Sequence, residues 1–205
     1  MSEKKIVAVI GSYRREGIIN EAVTEILSGA VENGVVTEKL FLLNYNIEFC
    51  RNCRSCMQQP GPERGKCVID DDLELLLGKM EAADGLVLAA PVNVGNLNAL
   101  TRRFMERCVG YGYWPWNSPA PKMREGTRKR PSLLVSSSAA PAWMGRLFSG
   151  AHGALKQWAK LLGAKPVGVL WVGLVNKEKI AVSEGKRKKA RKLGKKLARA
   201  CFADK

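Results

Sequence analysis

The sequence predicts a three-layer α/β fold whose five-stranded parallel sheet has the order 2-1-3-4-5. Two observations carry this. Short runs of Ile, Val, Leu and Ala recur without polar alternation, as in strands buried on both faces, and stretches with apolar residues at helical spacing separate them. The resulting order, βαβ(loop)αβαβαβα, implies right-handed crossovers and a sheet covered on both sides. A chain of 205 residues, 46% hydrophobic and 26% charged, suits one domain over 1–205 and excludes a disordered, collagenous or disulfide-stapled class.

The first strand is 5–10, closed by Gly11-Ser12. A helix over 18–31 follows, with Ile19, Val23, Ile26 or Leu27 and Ala30 on one face and Asn33-Gly34 as its stop. Residues 35–43 read as the second strand, 70–83 as a helix opened by three aspartates at its positive end, and 86–90 as the third strand. Asn96 or Asn98 caps a helix reaching Cys108, 132–135 is the fourth strand, and 147–162 is a helix. Gly163 to Pro166 turn the chain into the fifth strand, 167–175, and a basic helix begins near Ser183. Two connections are long, 44–69 and 109–131, and long loops in a compact domain usually carry function.

No apolar run approaches the roughly 20 residues of a membrane span, and the apolar run after Lys5 is too short for a signal peptide, so a cytoplasmic protein is expected. The formal net charge is +15, which raises nucleic acid or anionic membrane as partners. Residues 177–205 alone contribute +9. There Ala190, Leu193, Leu197 and Cys201 or Ala200 form one stripe, the pattern of a surface helix packed on a sheet, with no groove-reading motif and no aromatic platform among the charges. Nucleic acid is therefore not expected as a partner.

Ligands of doubly wound sheets bind beyond the carboxyl ends of the strands. The first turn there, Gly11-Ser12-Tyr13-Arg14-Arg15-Glu16-Gly17, is neither G-x-G-x-x-G nor a Walker loop. It still brings a hydroxyl, guanidinium groups and a helix N-terminus together, which suits a phosphate. After the third strand come Pro91-Val92-Asn93-Val94-Gly95-Asn96 and then Phe104-Met105-Glu106-Arg107.

In these motifs the chain resembles the flavodoxin-like NADPH-dependent FMN reductase family and its relatives, the iron–sulfur flavoproteins. The motifs fall within residues 6–107, and the element order extends the resemblance over the chain. In the family a G-S-x-R turn holds the FMN phosphate, and a Pro-hydrophobic-Tyr stretch carries the isoalloxazine on its backbone. Two departures stand out: Ile18-Ile19 where the family places Asn-Thr, leaving Asn20 as the nearest polar side chain, and Asn93 where it places tyrosine. The resemblance implies FMN contacts at Ser12, Arg14 and Asn20, at Pro91 through Asn96, and at a third loop, Ser136-Ser137-Ser138. That loop's small residues and hydroxyls suit a flat ring.

Cys50, Cys53, Cys56 and Cys67 form C-x2-C-x2-C-x10-C. Three thiolates so spaced can wrap a cubane, with a fourth from further on, and iron–sulfur flavoproteins carry four cysteines in the same loop, generally with a shorter last spacing. A [4Fe–4S] cluster, zinc and a cycling disulfide are the open alternatives. Arg51, Arg54, Arg64 and Lys66 would suit an anionic cluster or lower thiol pKa values. Cys108 and Cys201 read as ordinary buried thiols.

Tyr111, Tyr113, Trp114 and Trp116 crowd the second long loop, where they would wall a flavin, meet a second subunit or form a satellite core. The single histidine, His152, has no triad partner, so no catalytic acid or base is assigned. The expected function is an NAD(P)H-dependent FMN oxidoreductase passing electrons to a quinone, nitro or azo compound, or through the cluster to an electron carrier. The resemblance implies a homodimer or homotetramer. The alternative is a non-enzymatic zinc and nucleic-acid binder using the cysteine loop and the basic helix.

Overall fold

A computed structural model describes residues 3–176 and 181–203. Along the chain it runs β1 (Lys4–Ile10), α1 (Ile18–Val31), β2 (Val35–Phe41), α2 (Ser55–Gln58), α3 (Leu73–Glu81) and β3 (Gly85–Ala89). A short hairpin of β4 (Val92–Asn93) and β5 (Asn96–Leu97) leads into α4 (Ala99–Arg107), and a second hairpin pairs β6 (Gly112–Tyr113) with β7 (Lys122–Met123). Then come β8 (Arg130–Ser137), α5 (Ala142–Phe148), α6 (Ala151–Leu161), β9 (Ala164–Val172) and α7 (Glu184–Ala203). The main sheet is β2-β1-β3-β8-β9 with every pairing parallel, the expected 2-1-3-4-5 order.

The continuous apolar runs are explained by burial on both faces. In β1, Val7 and Val9 pack toward α3, α4 and α6, while Ile6, Ala8 and Ile10 pack toward α1 and α7. The alternation of the pleat thus feeds two cores from one strand. On the second side α1 and α7 approach closely at glycines. A Cβ at Gly194 would lie 1.9 Å from the Ile26 carbonyl oxygen, and one at Gly29 would lie 2.2 Å from that of Arg191.

The predicted stripe of the basic helix is present, with Ala190, Leu197 and Cys201 buried, but α1 is its principal neighbour. Arg187 pairs with Glu21 and Glu25, Arg191 with Glu25 and Glu32, and Lys195 with Glu32. Part of the terminal charge is therefore neutralised within the fold. Residues 177–180, at the head of the basic stretch, lie outside the described residues.

Several element boundaries differ from expectation, and the fourth strand spans Arg130–Ser137 instead of 132–135. The second strand ends at Phe41, opposite Ile10, because Leu42–Asn44 tighten into a 3₁₀ turn that buries Leu42. The helix expected from Asp70 starts at Leu73: the Asp71 carboxylate accepts from the N–H groups of Glu48 and Leu73, and Asp72 accepts from that of Asn46. These aspartates tie down the preceding loop.

The helix expected over 147–162 is two helices, broken by an extended Ser149. The Gly150 N–H donates to the Gly95 carbonyl at 2.8 Å, and a Cβ at Gly150 would lie 2.8 Å from Asn96 Nδ2, so the break seats the β4–β5 hairpin. The last strand spans Ala164–Val172 instead of 167–175. The pairing steps from Ser132–Pro166 to Leu133–Gly168 and leaves Val167 as the extra residue of a bulge on this edge strand, and Leu174, at φ 61°, turns the chain out.

Candidate functional site

A cleft of ≈ 810 Å³ lies at the carboxyl ends of the strands, between the β1–α1 turn, the β4–β5 hairpin and the end of β8. Gly11 anchors it. Its N–H donates to Ala89, and its carbonyl accepts from Asn98 Nδ2 at 2.6 Å and Thr101 Oγ1 at 3.1 Å. A Cβ at Gly11 would sit 1.9 Å from Thr101 Oγ1, so glycine alone fits against α4. Ser12, 5% exposed, accepts from the Arg14 N–H at 3.2 Å in a compact serine turn. No side chain caps the N-terminus of α1, which leaves its first turn turned toward the cleft with donors available.

Ser12, Arg14, Pro91, Val92 and Asn93 line this cleft as the sequence predicts, and so do Ser137 and Ser138. The Ser137 hydroxyl makes no hydrogen bond among the described residues, although the residue is 4% exposed. Ser138 is tied to Trp171 Nε1 at 3.0 Å and to the Ala140 carbonyl.

Other predicted residues stand off the lining. Asn20 donates to the Arg15 carbonyl and accepts from Lys39, facing β2. Ser136 is buried and donates to the Ala90 carbonyl, a bond internal to the sheet. Val94 and Gly95 form the two-residue hairpin turn with φ of 47° and 71°, and Asn96 accepts from the Leu97 N–H. A β-branched residue in the left-handed region is strained, and Val94 is 97% exposed at the hairpin tip.

Sequence reasoning passed over Asn98 as a lining residue. Its capping role was visible, and the Asn98 side chain accepts from Thr101 N–H, but only the fold places it against Gly11. Tyr13 accepts from the Leu100 N–H, a second tie between turn and helix. Glu21 also lines the cleft, yet its carboxylate is engaged by the Val182 N–H and by Arg187.

The cleft's size is that of a cofactor site, and it combines a serine turn, a helix N-terminus and an unbonded hydroxyl. These residues fit a flat cofactor with a phosphate tail.

The two long loops form one substructure. Arg124, 4% exposed, donates to the carbonyls of Gly110, Gly61 and Cys56 at 2.9–3.0 Å, so one guanidinium spans both. The Arg54 guanidinium stacks on Trp114 and Trp116, 3.9 and 4.1 Å from the ring centroids. Tyr111 is buried and donates to Glu81. The aromatics thus brace the cysteine loop, and none of them lines the cleft.

Neither Arg54 nor Arg64 is a free cation beside the thiols, because Arg54 is held by the Trp114 carbonyl and two indole rings and Arg64 pairs with Glu74 and Glu81. The guanidinium that reaches a sulfur is Arg107, whose Nη2 lies 3.4 Å from Cys67 Sγ.

The four thiols share a neighbourhood. Burial and then the proximity of Cys67, Cys50 and Cys53 push the Cys56 thiol up, whereas Ser55 hydrogen bonds and Arg51 draw the exposed Cys53 down. None of the four is in a disulfide. Among the described residues no three Cys, His, Asp or Glu side chains close into metal-binding geometry. Four thiols in one loop are donors of the type that an iron–sulfur cluster, zinc or a cycling disulfide uses. Cys108, the residue that caps the C-terminal end of α4, is pushed up to about 12 by burial. His152 packs edge-on against Trp171, and burial with Lys156 and Arg146 nearby draws it down.

The family model described as NADPH-dependent FMN reductase matches residues 4–179. An iron-sulfur flavoprotein of Methanocaldococcus jannaschii is 36% identical over 103 residues, 50% of this chain and 51% of the relative. The chain spans about half the length of the curated relatives it matches. Among solved structures, an NAD(P)H:quinone oxidoreductase from Methanothermobacter marburgensis superimposes with a TM-score of 0.70 at 16% identity, covering 96% of this chain and 100% of that one. An FMN-dependent NADH-azoreductase from Bacillus anthracis, solved with FMN, gives 0.66 at 13% identity, covering 96% and 100%. At these identities the structural likeness bears on the fold. No helix among the described residues is long and apolar enough to cross a membrane.

Proposed function

The chain belongs to the NADPH-dependent FMN reductase family, and from that premise we propose that it is an FMN-dependent oxidoreductase that takes electrons from NAD(P)H. The observation that carries this reading is the strand-end cleft, with its serine turn clamped to α4 through Gly11. Ser12, Arg14 and the first turn of α1 hold the phosphate. Pro91 to Asn93 and Ser137-Ser138 flank the ring, and the unbonded Ser137 hydroxyl offers a partner to its polar edge. When bound, FMN supplies the hydride and single-electron chemistry, so the chain needs no acid or base of its own. Its residues orient the ring, and positive groups at the helix end favour an anionic cofactor.

Two acceptor classes follow. The quinone and azo reductases of similar fold favour a small-molecule acceptor such as a quinone, nitro or azo compound. The iron-sulfur flavoprotein relatives favour a second route, with Cys50, Cys53, Cys56 and Cys67 holding a [4Fe–4S] cluster that serves an electron carrier. The zinc and nucleic-acid reading draws no support from these relatives. A homo-oligomer fits α5, where Trp143, Leu147 and Phe148 are all exposed beside the cleft. We assign the protein to the cytoplasm.

The test is one anaerobic preparation analysed by visible spectrum and by assay of flavin, iron, sulfide and zinc. Flavin with iron and sulfide supports the carrier route, and flavin without metal supports the small acceptor. Colourless protein holding zinc overturns both.

A further inference from the structure

The net charge divides sharply along the chain. Residues 1–125 hold 15 Lys+Arg against 16 Asp+Glu, whereas residues 126–205 hold 19 against three, so the second stretch carries +16 and the first −1. The fold turns this asymmetry of sequence into one of space. Residues 126–205 supply β8, α5, α6, β9 and α7, and β8 and β9 lie together at one edge of the sheet. Among the described residues of that stretch Glu184 is the one carboxylate.

The cations of this edge are continuous across three elements. Lys129, Lys156, Lys160 and Lys165, all exposed, line one groove at the start of β9. Two residues on, the Val167 carbonyl accepts from Lys196 Nζ at 2.7 Å, which brings α7 alongside. Lys189, Lys192, Lys196 and Arg199 then recur at helical spacing on the exposed side of α7. Packing accounts only for the opposite row of that helix, where Arg187, Arg191 and Lys195 meet Glu21, Glu25 and Glu32. None of the eight outward cations forms an ion pair among the described residues. Like charges so gathered repel one another, and no contact within the fold offsets this.

We infer that this edge, from α6 across the start of β9 to α7, docks on an anionic lipid bilayer. Seven of its eight free cations are lysines, while Arg187 and Arg191 are spent on glutamates inside the fold. Nucleic acid calls for planar arginine forks, for an element that enters a groove, or for aromatics on which bases stack, and these charges are interleaved with none of them. A charged lipid surface requires only a broad area of mobile ammonium groups, each of which adds attraction near the membrane. The face lies outside the lining of the strand-end cleft, so docking does not depend on FMN.

Co-sedimentation of the full chain with lipid vesicles tests this. Binding is expected to vesicles of phosphatidylcholine mixed with phosphatidylglycerol and not to phosphatidylcholine alone, and it should weaken as salt is raised. Lys189→Gln/Lys192→Gln on α7 and Lys160→Gln/Lys165→Gln beside β9 should each weaken it about tenfold. Arg102→Gln/Lys122→Gln removes the same charge from the other stretch of chain and should change it by less than about twofold. All six side chains are exposed, so the variants keep the fold. Absence of binding to the mixed vesicles, equal binding to both kinds, indifference to either lysine pair, or equal loss in the control pair would overturn the inference. So would duplex DNA or polyglutamate bound more tightly than the mixed vesicles, which would give the face a nucleic acid or an acidic protein as its partner.

Discussion

Arg107 and Asp71 form a buried ion pair, Nη1 to Oδ2 at 2.5 Å and Nη2 to Oδ1 at 3.2 Å, with side chains 1% and 0% exposed. The same guanidinium donates to the Glu48 carbonyl at 2.7 Å and reaches Cys67 Sγ. Arg107 ends α4, whose other end, through Asn98 and Thr101, clamps Gly11. One helix of nine residues, about 14 Å long, therefore joins the cofactor turn to the cysteine loop.

Removing one partner of this pair strands the other. Arg107→Met is expected to cost about 3–5 kcal/mol in urea unfolding, and Arg107→Lys to recover only part of it, because lysine lacks the fork that meets both carboxylate oxygens. A loss below about 1 kcal/mol would contradict the burial described.

The pair also sets an acid dependence. Burial pushes the Asp71 carboxyl up, but hydrogen bonds from Arg107 and from the Glu48 and Leu73 N–H groups outweigh this and hold it below its ordinary 3.8. A depressed folded pKa gives stability that is present above the unfolded value and lost as pH falls through the folded one. Unfolding free energy measured from pH 6 downward should decline into the acid range, and Asp71→Asn should be less stable at pH 6 with a shallower decline. Parallel profiles for the two proteins would show that Asp71 is not the group responsible.

Gly194→Ala should destabilise the α1–α7 contact by about 1–3 kcal/mol, since the new methyl meets the Ile26 backbone. Gly78 lies in α3 with open space around it, so Gly78→Ala should instead stabilise by about 0.5–1 kcal/mol. Thermal unfolding of the two variants checks the opposite signs.

In metal-free protein, Cys53 should react first with a thiol reagent near neutral pH, because it is exposed and Ser55 and Arg51 favour its thiolate. Ser55→Ala should slow that reaction. Cys108 should stay unmodified until the protein unfolds. Mass spectrometry of the labelled peptides gives the order directly.

The layers of the fold were legible because buried parallel strands write themselves as unbroken apolar runs, and α1 was placed to the residue by its periodicity and the Asn33-Gly34 stop. Boundaries failed where a tertiary contact decides them. Asp71 and Asp72 look like helix-opening residues but serve the loop at Asn46 and Glu48. The break at Ser149-Gly150 exists for a hairpin more than fifty residues earlier, which no local pattern announces. The residues at the cleft were mostly visible as turn chemistry. Asn98 and Arg107 gain their meaning from Gly11 and Cys67, groups that only the folded sheet brings near them.

The proposed function rests on the strand-end cleft as a flavin site, and flavin binding by wild-type protein and by Ser12→Ala/Arg14→Ala measures it most directly. Released flavin should be FMN at about one per chain, with its visible spectrum bleached anaerobically by NAD(P)H, and the double variant should bind at least about tenfold more weakly while folding normally. Wild-type protein that neither carries nor takes up FMN, or a variant that binds it equally well, would contradict the account.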